Sequence, residues 1–168
     1  VEGFDNDAGF YLCDTKGTGN LVANDGTAIY TVSVNNNTNS HTAEAEINAN
    51  IEAKYGAESN INGKILVSGG KIASTSTGIF AGDYGNIEIR RGKIESTSSS
   101  AIVVGSVYTS ANTVNITGGT IIGKKHGLEL YAVGDYGCKL VNGIIRGEDS
   151  GVYIYEKSTS KDPVFIFS

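Results

Sequence analysis

Apolar residues in the second half of this chain recur in fixed columns. With Ile72 of ILVSGGKIASTSTGIFA as anchor, three later segments align to it: IEIRRGKIESTSSSAIVV, VNITGGTIIGKKHGLEL and CKLVNGIIRGEDSGVYI. Their anchors are Ile94, Ile121 and Ile145, spaced by 22, 27 and 24 residues. Two positions before each anchor stands a glycine: Gly70, Gly92, Gly119 and Gly143. Five before stand Val67, Ile89, Ile116 and Leu140, and seven before stand Ile65, Ile87, Val114 and Cys138. After the anchor come Ile79, Ile102, Leu128 and Val152, then Ala81, Val104, Leu130 and Ile154.

Within each run the apolar positions lie two apart, the period of a half-buried strand. Gly and polar residues separate the runs, and no segment shows a capped helical stripe. Such a unit buries its inner face only by stacking on its neighbours, which predicts an all-β parallel solenoid. The alignment predicts one β-solenoid domain over residues 1–168: clear coils over 61–156, degenerate coils over 1–60, and a terminal strand or cap over 157–168. The expectation is six to seven coils, each with three short strands. The glycine column fits a turn that needs positive φ. Weaker traces upstream, NDAGFYL and DGTAIYT, place Phe10 and Ile29 in the same column as Ile79, with a degenerate copy around Ile47, Ile51 and Tyr55.

The spacing x-I-x-I-x-G-G-x-I, and VNITGGTI above all, resembles the repeats of right-handed parallel β-helices of secreted and surface bacterial or phage proteins, the pectate-lyase-like superfold. The resemblance covers about residues 61–156. It implies a single-stranded right-handed β-helix. It also implies an extracellular or cell-surface setting on a bacterium or phage virion. Because the superfold hosts lyases, tailspikes and adhesins, it does not by itself assign a function.

Composition sharpens this picture in places. The chain has 168 residues, with 23 Gly but one Pro, and neither Met nor Trp. Abundant Gly with β-branched residues suits short strands joined by tight turns. A net charge of −5 with no basic stripe argues against nucleic acid as a partner. No apolar run approaches the length of a membrane span. The opening Val1-Glu2-Gly3 reads as a mature or excised fragment. Two cysteines, Cys13 and Cys138, are too few for a disulfide framework. Cys138 falls on an inward column and is expected to pack as a small apolar residue. Cys13 is expected to be the more exposed and too distant to bridge to it.

Candidate chemistry is sparse. Lyases of the superfold use Asp clusters for calcium with a basic proton abstractor, and its hydrolases use close carboxylates. Here Glu88 with Arg90, and Glu95 with Glu148 and Asp149, are the charged groupings, and they read as solvated outward charges. His126 lacks the Gly-His-Gly context of the hydrolases. The motif GDYG occurs at Gly82 and again at Gly134. It marks the same turn on two repeats, each just ahead of a strand. Asp83, Tyr84, Asp135 and Tyr136 would stand along one edge, as hydrogen-bonding groups for a ligand or as turn carboxylates that could take calcium. Otherwise no cofactor is expected.

The most informative feature is an outward column one residue after Ile79 and its equivalents: Tyr11, Tyr30, Phe80, Val103, Glu129 and Tyr153. Two residues further stand Tyr131 and Tyr155. Contiguous exposed aromatics mark interaction sites. The sequence therefore predicts a non-catalytic module acting in adhesion, glycan binding or assembly. Its partner would be a glycan or a protein, including a second copy through the aromatic face. The binding residues would be Tyr30, Phe80, Tyr131, Tyr153 and Tyr155. The alternative reading is a polysaccharide lyase or glycoside hydrolase of the pectate-lyase-like type.

Overall fold

The structure, a computed structural model, describes residues 2–3, 8–15, 19–33, 42–82, 84–105, 112–131, 138–155 and 165–167. Among the described residues, sixteen strands form one sheet wound on itself. The early strands are β1 (Glu2–Gly3), β2 (Ala8–Cys13), β3 (Asn20–Ser33), β4 (Ala43–Asn60) and β5 (Gly63–Ser74). Short strands follow: β6 (Ile79–Ala81), β7 (Asn86–Ile89), β8 (Lys93–Ser96), β9 (Ile102–Val104), β10 (Thr113–Ile116) and β11 (Thr120–Gly123). The last are β12 (His126–Tyr131), β13 (Cys138–Leu140), β14 (Ile144–Gly147), β15 (Ser150–Tyr155) and β16 (Phe165–Phe167). No helix stands among the described residues, so none is long and apolar enough to cross a membrane.

All the strand pairs are parallel, and they run in three ladders. The first joins β2, the start of β4, the start of β5, β7, β10, β13 and β16. The second joins the start of β3, the middle of β4, the end of β5, β8, β11 and β14. The third joins β1, the end of β3, the end of β4, β6, β9, β12 and β15. This is a parallel β-solenoid.

Every apolar column read from the four clear repeats is a ladder register. Ile65, Ile87, Val114 and Cys138 stand side by side, as do Ile72, Ile94, Ile121 and Ile145. Their side chains line the interior, where Ile65, Ile72, Ile116, Ile121 and Leu128 are fully buried. Gly70, Gly92, Gly119 and Gly143 all take positive φ, at 70°, 97°, 92° and 134°.

Two expectations need correction. The stack comprises about four turns rather than six to seven. Nor are three short strands found in every coil. Upstream of the short strands, β3 and β4 run unbroken for 14 and 18 residues, and β5 continues for 12 through the first glycine position. The physical reason lies in the sequence AEAEINANIEA, which alternates without a break and has no glycine to force a corner.

Candidate functional site

The outward column of the third ladder reads, in register, Tyr30, Glu58, Phe80, Val103, Glu129 and Tyr153. Strand alternation puts these side chains outside, because the flanking Ile29, Ile79, Ala81, Leu128 and Leu130 point into the core. Two residues further along, Tyr131 pairs with Tyr155. The ladder thus sets the five aromatic residues singled out in the sequence on one outward face, with Glu58 between Tyr30 and Phe80, and Val103 and Glu129 between Phe80 and Tyr153.

Tyr11 does not belong with them. β2 pairs with the start of β4, placing Phe10 beside Ala45 and Tyr11 beside Glu46 on the first ladder. Phe10 accordingly leaves the column of Ile29, which pairs with Ala57 on the third ladder.

At one end of the stripe, Tyr30 is 42% exposed. Asn60 lies beside it, donating to the Glu58 carboxylate at 2.6 Å and to the Tyr30 hydroxyl at 3.4 Å. Phe80 is half-buried in mid-stripe. At the other end, Tyr153 and Tyr155 are 39% and 46% exposed. The Tyr153 ring stacks on His126, with centroids 4.5 Å apart and planes within 10°. His126 Nδ1 and the Ser150 hydroxyl are 2.8 Å apart. Tyr131 and Tyr155 meet at 5.5 Å with a 45° tilt.

Glu129 sits among these rings. One of its carboxylate oxygens accepts the Tyr131 hydroxyl and the other the Ser100 hydroxyl. The Glu129 acceptor, aided by partial burial, pushes the Tyr131 phenol up to about 12. Tyr131 therefore remains a protonated donor at neutral pH. Sequence reasoning missed this Glu129–Ser100–Tyr131 group and the His126–Tyr153 stack. Ser100 lies 29 residues from Glu129, and only the ladder brings them together.

The first GDYG motif is described at Gly82, Tyr84 and Gly85. Tyr84 takes φ 58° and is exposed, and the Gly85 amide donates to the Gly82 carbonyl at 2.9 Å. Asp83, Asp135 and Tyr136 lie outside the described residues, and so does the carboxylate of each suggested calcium turn. Among the described residues, no three His, Cys, Asp or Glu side chains gather as metal ligands.

The other charged groupings are ion pairs between neighbouring ladder strands or within one. Glu88 receives Arg90 at 2.7 Å and Lys64 at 3.4 Å. Partial burial opposes its charge, but these cations outweigh burial and hold the carboxyl below its ordinary range. Glu95 receives Lys93 at 2.9 Å and Lys71 at 3.3 Å, and their hydrogen bonds lower it likewise. Glu148 pairs with Lys124 at 2.6 Å. Exposed pairs of this kind contribute about 0–1 kcal/mol each.

Both cysteines are free. Cys138 is buried in the column of Val114, and burial pushes its thiol up to about 11. Cys13 is exposed. Since the thiolate is the reactive form, iodoacetamide should modify Cys13 in the native protein and reach Cys138 only after unfolding. Equal native labelling of both would place Cys138 outside the core. Comparisons with family models, with curated proteins and with solved structures found no match to this chain.

Proposed function

We propose that this chain is a non-catalytic β-solenoid module of a secreted or surface protein, and that it binds glycans through the aromatic stripe of the third ladder. The observation that carries this reading is the placement of Tyr30, Phe80, Tyr131, Tyr153 and Tyr155 on one outward face, with three of them 39–46% exposed. Aromatic rings offer large, rigid surfaces on which the apolar faces of sugars can stack. Around them stand hydroxyl, amide and carboxylate groups suited to sugar hydroxyls: Tyr30, Asn60, Glu129 and Ser150.

The charge on the stripe narrows the ligand class. Its two outward columns hold Glu58 and Glu129 and no cation. Carboxylates facing carboxylates repel, so neutral or amino sugars fit the stripe and uronic-acid polymers do not. The repeat's resemblance to surface and secreted β-helices supports an extracellular setting.

Affinity electrophoresis through gels containing neutral or acidic polysaccharides tests this. The wild-type chain should be retarded by a neutral or amino-sugar polymer and pass unretarded through polygalacturonate. A Tyr153→Ala, Tyr155→Ala double variant should keep its fold and lose the retardation. If the wild type is retarded by no polymer, or the variant is retarded equally, the stripe is not a glycan site. Release of new reducing ends or unsaturated products from any polymer would instead favour the enzymatic reading.

A further inference from the structure

The corner between the first and second ladders carries the same glycine on every clear repeat, but the residue before it changes. Gly70, Gly92, Gly119 and Gly143 are preceded by Gly69, Arg91, Gly118 and Asn142. On one turn, then, an asparagine stands directly before a glycine amide. The corner keeps that glycine in place: Gly143 takes φ 134°, and a Cβ there would lie 3.2 Å from the Gly119 carbonyl oxygen. With no side chain of its own, Gly143 leaves its backbone nitrogen open to close approach.

The approach is already made. The Gly143 amide donates to Asn142 Oδ1 at 2.9 Å. Oδ1 is bonded to Cγ, so this contact holds the Gly143 nitrogen against the side-chain carbonyl carbon. The flanking residues are pinned, since the Val141 amide donates to the Ile116 carbonyl and the Ile144 amide to the Gly119 carbonyl, both at 2.9 Å. Asn142 is exposed, so water and base reach it. Arg91 holds the same position inside the stack and is exposed as well, so the exposure belongs to the corner and not to the last turn.

From this we propose that Asn142 is a site of self-modification, at which the side chain cyclises with the Gly143 amide and then hydrolyses to aspartate and isoaspartate. Hydroxide takes the proton of the Gly143 amide, and the nitrogen attacks Cγ. The N–Cγ bond forms, the Cγ–Nδ2 bond breaks, and Nδ2 leaves as ammonia after taking a proton from water. The resulting succinimide adds water. Opening at the N–Cγ bond gives aspartate. Opening between the nitrogen and the Asn142 backbone carbonyl carbon gives isoaspartate, with Cβ and Cγ now in the main chain. Either product puts a negative charge where there was none. The isoaspartyl product also adds a methylene to the main chain between two pinned amides, which loosens the corner.

A second Asn-Gly pair, Asn62-Gly63, supplies the contrast. Gly63 opens β5, in register with Ala43 of β4, and is buried. A Cβ there would lie 2.7 Å from both the carbonyl oxygen and the hydroxyl of Thr31. Its backbone is enclosed, and its nitrogen cannot turn toward the Asn62 side chain without leaving the ladder. The fold therefore separates two pairs that are identical in sequence. Asn142 lies away from the third ladder, so the inference does not rest on glycan binding.

Peptide mapping by mass spectrometry, on the whole chain held folded in mildly alkaline buffer, tests it. Asn142 should convert to aspartate and isoaspartate with time, faster as pH rises, while Asn62 stays intact. In urea, with the ladders gone, the two pairs should convert at similar rates. Asn142→Gln would have to close a larger ring, so it should keep the β-sheet circular dichroism spectrum and lose the modification at that position. No conversion of Asn142 in the folded chain overturns the proposal. So does folded Asn62 that converts as fast as Asn142, or a preference for Asn142 that is just as large in urea. Aspartate without isoaspartate at position 142 would mean direct hydrolysis and overturns the cyclisation.

Discussion

Replacing Ile116 with Ala will destabilise the protein by about 2–5 kcal/mol, the range found when a large buried aliphatic side chain is cut to Ala. Ile116 is fully buried, between Ile89 on one neighbouring strand and Leu140 on the other. The ladder fixes the strand spacing at about 4.8 Å, so neighbouring coils cannot close in to fill the void. The adjacent residue supplies the control. Asn115 points outward, and its Oδ1 has no hydrogen-bond partner. Asn115→Ala removes that atom and strands no partner, so it should change stability by no more than about 0.5 kcal/mol. Urea unfolding followed at the shared β-sheet band measures both, as a shift in midpoint at constant slope. A reversal of the two costs would mean that the inward and outward phase is off by one residue, which turns every side chain to the other face.

The same phase explains what was legible in the sequence. From Ile65 to Ile154 the interior is built largely of Ile, Val and Leu at fixed offsets from a glycine, so apolar columns and ladder registers coincide. Upstream, β4 fills its inward positions with Ala43, Ala45, Ala49, Ala53 and Ala57 as well as Ile47 and Ile51. Alanine occurs as readily outside as inside and gives a weak periodic signal, so this segment read as degenerate although its core side is sealed. Tyr11 was misplaced for a related reason. Phe10-Tyr11 and Ile29-Tyr30 look alike in sequence, but they pair with Ala45-Glu46 and Ala57-Glu58, two places on the same long strand. Only the register separates the ladders.

The aromatic stripe was legible because its members follow a core column by one residue, an offset that alternation fixes as outward. The polar groups around it were not. Glu129 meets Ser100, and His126 meets Tyr153, through contacts between turns whose loop lengths vary from repeat to repeat, while Glu129 meets Tyr131 two residues along the same strand. A column alignment gives the neighbours within a column but not side chains that reach diagonally across columns. Residue types there carry no periodic signal, since one aromatic position is Tyr153 on one turn and Val103 two turns earlier.

The glycine column yields the second large effect. Gly70→Ala should cost about 2–5 kcal/mol, taking roughly 1–2 for a residue forced into the left-handed region and roughly 1–3 for the overpacking. Gly70 has φ +70°, and a Cβ there would lie 2.1 Å from the Ala49 carbonyl oxygen and 2.7 Å from the Ala49 amide nitrogen. Those atoms are backbone in the adjoining ladder strand, so no side-chain rotation can relieve the clash. The turn must open or the strands must part. Gly26→Ala is the matched control, because a Cβ at that position meets nothing within 4 Å and its φ is not in the left-handed range. There the substitution should be neutral or stabilise by a few tenths of a kcal/mol, through the lower entropy of the unfolded chain (about 0.4–1 kcal/mol in favourable cases). Thermal and urea unfolding of the two variants should therefore move in opposite directions or leave Gly26→Ala unmoved, and failure of Gly70→Ala to fold counts as the same result at its extreme. Equal midpoints for Gly70→Ala and wild type would show that the corner after Ser68 does not approach Ala49 so closely, and with it the tight stacking of β5 on β4 would fall.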